Sequence, residues 1–168
     1  MEAEHFHTAV ATPNTSWAVI PYMGRTRSAM ALMPYTEQTG DASLSYQFSL
    51  NGKQPETVKV HVIVKSTLDY LNKGGMAFTV SLDGGEPQRI VFNDRLNEAK
   101  ENIYSVFYPT VARRVVEKSH TFSLTQQQDL HTLTIHPEDP AIVFEKIVID
   151  AGGYQPSFLF GDESPYKR

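Results

Sequence analysis

No cysteine occurs among the 168 residues. Disulfides, thiolate nucleophiles and cysteine-ligated zinc are excluded together, and the chain suits an oxidising or a reducing compartment. Charge is scarce and of no strong sign, with 15 Lys and Arg against 19 Asp and Glu for a formal net charge of -4. Basic residues pair up at Arg25/Arg27 and Arg113/Arg114, with no longer basic run. The electrostatic footprint of a nucleic-acid-binding protein is therefore missing. No apolar run approaches the roughly 18 residues of a bilayer span, so no membrane partner is expected. The start, Met1-Glu2-Ala3-Glu4-His5, has neither a basic n-region nor an apolar h-region. A protein read this way is either cytoplasmic or cut from a longer one. Enzyme signatures are lacking too: there is no G-x-S-x-G, H-E-x-x-H, P-loop or G-x-G-x-x-G.

What remains is a globular composition, 40% hydrophobic and 11% aromatic. The length suits one domain with a real core, and no linker, repeat or low-complexity tract divides residues 1–168. Leu44, Tyr46, Phe48 and Leu50 alternate with Ser43, Ser45, Gln47 and Ser49 before Asn51-Gly52, the period of a half-buried strand ending in a turn. Val58, Val60, Val62 and Val64 share one face, with Lys59, His61, Ile63 and Lys65 on the other, and this β-branched density disfavours helix. Met76 to Leu82, Asp83-Gly84-Gly85 and Arg89 to Phe92 read as a hairpin. Further strands are expected at Ile103–Tyr108, Val111–Val116, His120–Leu124, Leu130–His136 and Ile142–Asp150, with weaker ones at Glu4–Val10, Trp17–Ile20 and Ala29–Met33. Only Asn93–Glu101 carries enough helix formers for a short helical turn. Short strands at spacings of about 8–12 residues predict an all-β chain folded as an antiparallel β-sandwich of jelly-roll type.

Candidate sites are few. Trp17, the single tryptophan, lies close to Tyr22 and Arg25. A flat aromatic face stacks on sugar C–H surfaces and a guanidinium grips a carboxylate such as that of a uronic acid, which makes Trp17, Tyr22 and Arg25 candidates to face a ligand or partner. Core filling by Trp17 and loop capping by Arg25 is the competing reading. Glu2 and Glu4 alternate at the first strand and Asp150 ends the last one; in a sandwich whose termini meet, the three supply hard oxygen ligands for a structural calcium. His5 and His7 share a spacing that puts both imidazoles on one strand face, either as a weak metal site or as exposed terminal residues. Glu138, Asp139 and Glu145 flank a strand and are expected to be turn and surface residues. Asn14-Thr15-Ser16 fits a glycosylation acceptor, relevant only in a eukaryotic secretory context.

Eight stretches occur in order: Glu2-Ala3-Glu4-His5, Trp17 to Pro21 with Gly24-Arg25-Thr26, Ser66-Thr67-Leu68, Val80 to Gln88, His131-Thr132-Leu133, Asp139-Pro140, Lys146 to Gly153, and Gly161-Asp162-Glu163-Ser164. Together they resemble the C-terminal β-sandwich domain of glycoside hydrolase family 115, the bacterial xylan α-1,2-glucuronidases, and the first and fifth also resemble galactose-binding-like carbohydrate modules. Asp129 where a Gly is expected, Tyr104 in place of a Trp, and Phe160-Gly161-Asp162 are departures from the pattern. The resemblance implies a galactose-binding-like sandwich and a single accessory domain, the C-terminal part of a larger glycoside hydrolase whose catalytic carboxylates lie in other domains. It also implies no activity of its own, a required cofactor of none, packing against the parent's catalytic domains, and a homodimer formed through the parent. The implied ligand is xylan or another uronic-acid-bearing glycan, and the implied location is periplasmic or secreted, with the signal peptide on the parent. An autonomous carbohydrate-binding module and a small enzyme of unknown chemistry are the alternatives.

Overall fold

Val58, Val60, Val62 and Val64 are all buried, and the hydrophobic side chains of a second sheet close over them. The computed structural model describes residues 1–125 and 128–166. Among these, ten strands form: β1 (Thr8–Val10), β2 (Ser16–Ile20), β3 (Ala29–Met33), β4 (Ser43–Phe48), β5 (Thr57–Lys65), β6 (Ala77–Leu82), β7 (Gln88–Val91), β8 (Val115–Ser123), β9 (His131–Pro137) and β10 (Val143–Asp150). They pair antiparallel into two five-stranded sheets, ordered β1-β4-β9-β6-β7 and β2-β3-β10-β5-β8. Only β2–β3 and β6–β7 connect within a sheet. Every other connection crosses to the opposite sheet, so the chain is an all-β antiparallel sandwich of the expected kind.

The main core lies between the sheets. Phe78 of β6 meets Phe144 of β10 edge-on, ring centroids 5.6 Å apart, the offset geometry that the ring quadrupoles favour. Tyr46 is fully buried beside them and its hydroxyl donates to the Ala3 carbonyl at 2.9 Å. Burial pushes that phenol well above its usual range, so it stays neutral.

Strict alternation fails once, with consequences. Phe144 and Ile147 both lie in the main core although three residues apart, because the β10–β5 register shifts between Phe144 and Lys146. The extra residue, Glu145, makes a bulge that turns Lys146 to the outer face. Without it, Lys146 would point between the sheets.

Two elements depart from expectation. The strand expected at Ile103–Tyr108 and the first half of that expected at Val111–Val116 are helical: a π-turn over Ile103–Phe107 runs into α1 (Tyr108–Arg113). Ile103, Val106, Phe107 and Thr110 are the half-buried residues of this segment, at helical spacing, and that pattern overrode the β-branched composition. Pro109 sits in the first turn of α1, where its missing N–H costs nothing. Arg114, at φ 59, ends the helix and β8 begins. Conversely, Asn93–Glu101 is a run of turns rather than helix. There the Asn97 side chain accepts from the Ala99 amide and donates to the Asp94 carbonyl, competing for the groups a helix would use.

A second, smaller core lies outside the sandwich. Ile63, Val115 and Phe160 are buried together against Val148, because the segment after β10 folds back over the outer face of the β10-β5-β8 sheet. That covering segment also buries His61, whose ring lies 5.1 Å from that of Tyr154.

Candidate functional site

Four of the eight sequence stretches converge on one point, the Lys146 ammonium. Lys146 and Glu2 are each 1% exposed. An isolated bridge aligns Glu2 with Lys146, bringing Glu2 Oε1 to 3.2 Å from Lys146 Nζ. The Thr26 hydroxyl donates to the same carboxylate at 2.5 Å, and Nζ donates to the carbonyls of Gly161 at 2.8 Å and Leu159 at 3.0 Å. Nearby, Glu163 accepts from the Glu2 amide at 3.0 Å and pairs with His5 Nδ1 at 2.5 Å, while the His5 ring stacks on Tyr166 at 4.1 Å. The two ends of the described chain are thereby latched to each other.

Glu163 links this latch to pH. Burial works to raise its carboxyl, but the Glu2 amide and the neighbouring His5 outweigh it and hold the group below the usual glutamate range. A depressed folded-state value contributes stability present above the unfolded value and lost as pH falls through the folded one. Acid should therefore loosen the latch as pH drops through the glutamate range and below, and Glu163→Gln should flatten that limb of a plot of melting temperature against pH. An unchanged acid limb in the variant would refute the assignment.

The predicted calcium ligands do not assemble. Glu2 is neutralised by Lys146. Glu4 lies beside His5, with 4.0 Å between Oε1 and Nε2. Asp150 stands four residues beyond Lys146 on β10, roughly 13 Å along the strand, and its Oδ1 caps the turn amides of Gly152 and Tyr154 at 2.8 and 3.3 Å. Among the described residues, no three His, Asp or Glu side chains are placed to hold a metal. His5 and His7 part company as well, His5 in the latch and His7 exposed.

Nor do Trp17, Tyr22 and Arg25 form one surface. Trp17 is half-buried, its indole N–H donating to the Val10 carbonyl at 2.7 Å and its ring 6.3 Å from Phe144. The Arg25 guanidinium lies 4.1 Å over the Phe158 ring and donates to the Arg113 carbonyl. Only Tyr22, 97% exposed, points freely outward.

The acids expected at the surface are also placed otherwise. Asp139 is buried, accepting from the Ala77 amide at 2.7 Å and pairing with Lys73. Glu145 is buried at the bulge, 3.3 Å from Lys65 Nζ, and desolvation, only partly offset by that lysine, raises its carboxyl. Glu138 alone fits the expectation, holding Arg89 at 2.7 Å on the surface. The three buried carboxylates, Glu2, Asp139 and Glu145, thus each face a lysine.

Sequence reasoning missed two further features. Asp83 grips both His131 Nδ1 and the Thr132 amide at 2.8 Å, which ties two more of the eight stretches together. It also borders a cleft of about 470 Å³ lined by Gly85, Glu86, His120, Thr121 and Ser123. On the helical segment, Tyr104 (78% exposed) and Tyr108 project outward with ring centroids 5.7 Å apart. Their i, i+4 spacing was the available signal, hidden by the strand reading of that region.

Residues 1–163 match the family described as the glycosyl hydrolase family 115 C-terminal domain. The chain belongs to that family. No curated protein matches it. Among solved structures, this family 115 C-terminal domain is similar to part of a family GH115 4-O-methyl-alpha-glucuronidase with specificity for decorated arabinogalactans, at 17% identity and a TM-score of 0.62. That match takes in 86% of this chain and 17% of the enzyme, so the chain spans about a sixth of its length. Two carbohydrate-binding modules have the same fold. One is the CBM6 module of Cellvibrio mixtus lichenase 5A in complex with cellotriose, at 15% identity and TM-score 0.52, over 89% of this chain and 93% of that one. The other is a family 35 module from Clostridium thermocellum, at 11% identity and TM-score 0.53, over 89% and 96%. The β-sandwich expected from the sequence is thus a fold that these modules share.

Proposed function

We propose that this chain is the non-catalytic accessory and dimerisation domain of a secreted or periplasmic xylan α-1,2-glucuronidase, an enzyme that removes 4-O-methylglucuronic acid from glucuronoxylan. Family membership supports the parent's class. The observation that carries the non-catalytic reading is the state of the buried carboxylates, each facing a lysine. Glycoside hydrolysis needs a general acid and a nucleophile or base about 5–10 Å apart around an accessible sugar, and buried acids each committed to a lysine do not serve. Tyr22 and the Tyr104–Tyr108 pair are the residues we assign to face the catalytic domains or a second subunit.

The purified chain should release no 4-O-methylglucuronic acid from glucuronoxylan fragments or from decorated arabinogalactan, while the longer parent should act on one of them. Release by the isolated chain, abolished by substituting an internal carboxylate, would overturn this.

An autonomous carbohydrate-binding module is the second reading, favoured by the exposed Tyr104–Tyr108 pair, since packing of an aromatic ring on the C–H face of a sugar needs an exposed aromatic. Retardation of the chain in gels containing glucuronoxylan, lost in Tyr104→Ala/Tyr108→Ala, would choose it over the first.

A further inference from the structure

Glu-x-Glu at the first strand suggested a cation at the junction of the termini, and a cation is there, supplied by the protein itself. Lys146 Nζ sits among four oxygens: Gly161 O at 2.8 Å, Leu159 O at 3.0 Å, Glu2 Oε1 at 3.2 Å and Thr26 Oγ1 at 3.5 Å. One carboxylate, two main-chain carbonyls and a hydroxyl are the hard-oxygen set a calcium ion takes. The spacings, however, are those of N–H···O bonds, whereas calcium draws its ligands to about 2.3–2.6 Å. Thr26 spends its proton on Glu2, so its oxygen turns a lone pair to the ammonium.

Charge agrees. The set contains a single carboxylate, which one ammonium neutralises, whereas a divalent ion would leave a buried positive charge without a partner. The nearest other buried acid, Glu145, is taken by Lys65. The β10 bulge then has a purpose, because it delivers Lys146 into this set from a strand whose alternation would send it into the core.

We propose that the Lys146 ammonium is the resident cation of this oxygen cage, occupying the place of a structural metal ion, so that closure of the chain's two ends is independent of divalent ions. The cage draws one ligand each from the N-terminal stretch and the β2–β3 loop and two carbonyls from the final segment. Its single charge therefore couples the order of three separate pieces of chain to β10.

The test is thermal unfolding of the 1–168 chain. Excess EDTA or added calcium chloride should leave its melting temperature unchanged, and a shift with either would overturn the proposal. Lys146→Met keeps the length and removes the charge, and should lower the melting temperature by about 10 °C, since a buried charge loses its partner. A variant as stable as the parent would refute it. Glu2→Gln added to Lys146→Met should cost nothing further or regain stability, because the stranded carboxylate is removed, whereas additive losses would show that the two groups act separately. Should neither variant fold, the EDTA and calcium titrations on the unmodified chain still decide.

Discussion

Val62→Asp should leave the domain unfolded at 25 °C. Val62 sits near the middle of β5, flanked by β10 through Ile147 and by β8 through Lys118, and its side chain is buried in the main core. That core is made of hydrophobic residues such as Phe78, Val80 and Ile147, none of which can hydrogen-bond a carboxylate. An isolated ionised carboxylate in such surroundings costs many kcal/mol, and even the neutral acid without a partner costs about 2–7 kcal/mol, against a total stability of about 5–15 kcal/mol for a domain. The far-UV circular dichroism of the variant should lose its β-sheet signal. A folded Val62→Asp protein melting within a few degrees of the parent would contradict this placement of the core.

Phe144→Ala should also be strongly damaging, lowering the melting temperature by about 10 °C. The ring is fully buried and touches both sheets: Phe78 edge-on across the sandwich, and Trp17 within its own sheet. Truncation of such a ring costs about 3–5 kcal/mol in lost contacts and residual cavity, and a domain of this size melts about 2–4 °C lower per kcal/mol. Trp17→Ala should cost a smaller share, since its ring is only half-buried and one edge already meets solvent. This pair also tests what Trp17 is for. A Trp17→Ala domain as stable as the parent would return the indole to a role in recognition, whereas a drop of several degrees makes it the outer course of the core.

The strands that bury one face against the core were legible because the pleat has a period of two and burial enforces it. The Leu44–Phe48 and Val58–Val64 runs are of this kind. The segment around Tyr104 was not, because its β-branched and aromatic composition points one way and its spacing the other; where no neighbouring strand offers hydrogen bonds, spacing wins. The cover over Ile63 and His61 left no mark at all, since residues 151–163 have no periodicity and their burial exists only once they fold back. For the site, Glu2 was expected to bind a calcium ion, and in the structure it pairs with the Lys146 ammonium. Lys146 was placed only within the expected strand Ile142–Asp150, and only a register shift at Glu145, which alternation cannot announce, turns it towards Glu2. Arg25 was a candidate to face a ligand or partner, with loop capping as the competing reading, and the groups it meets, Phe158 and Arg113, are far away in sequence.

The latch also decides how the sandwich carries a mechanical load. Glu2 and Glu163 are hydrogen-bonded neighbours, so tension applied through the backbone at these two points is met first by that contact and then passes to β10 through the Glu2–Lys146 pair. Force does not run the length of β5 or shear one sheet over the other. Tension between Glu2 and Glu163 would therefore open their contact before it loaded the strands of the opposite sheet.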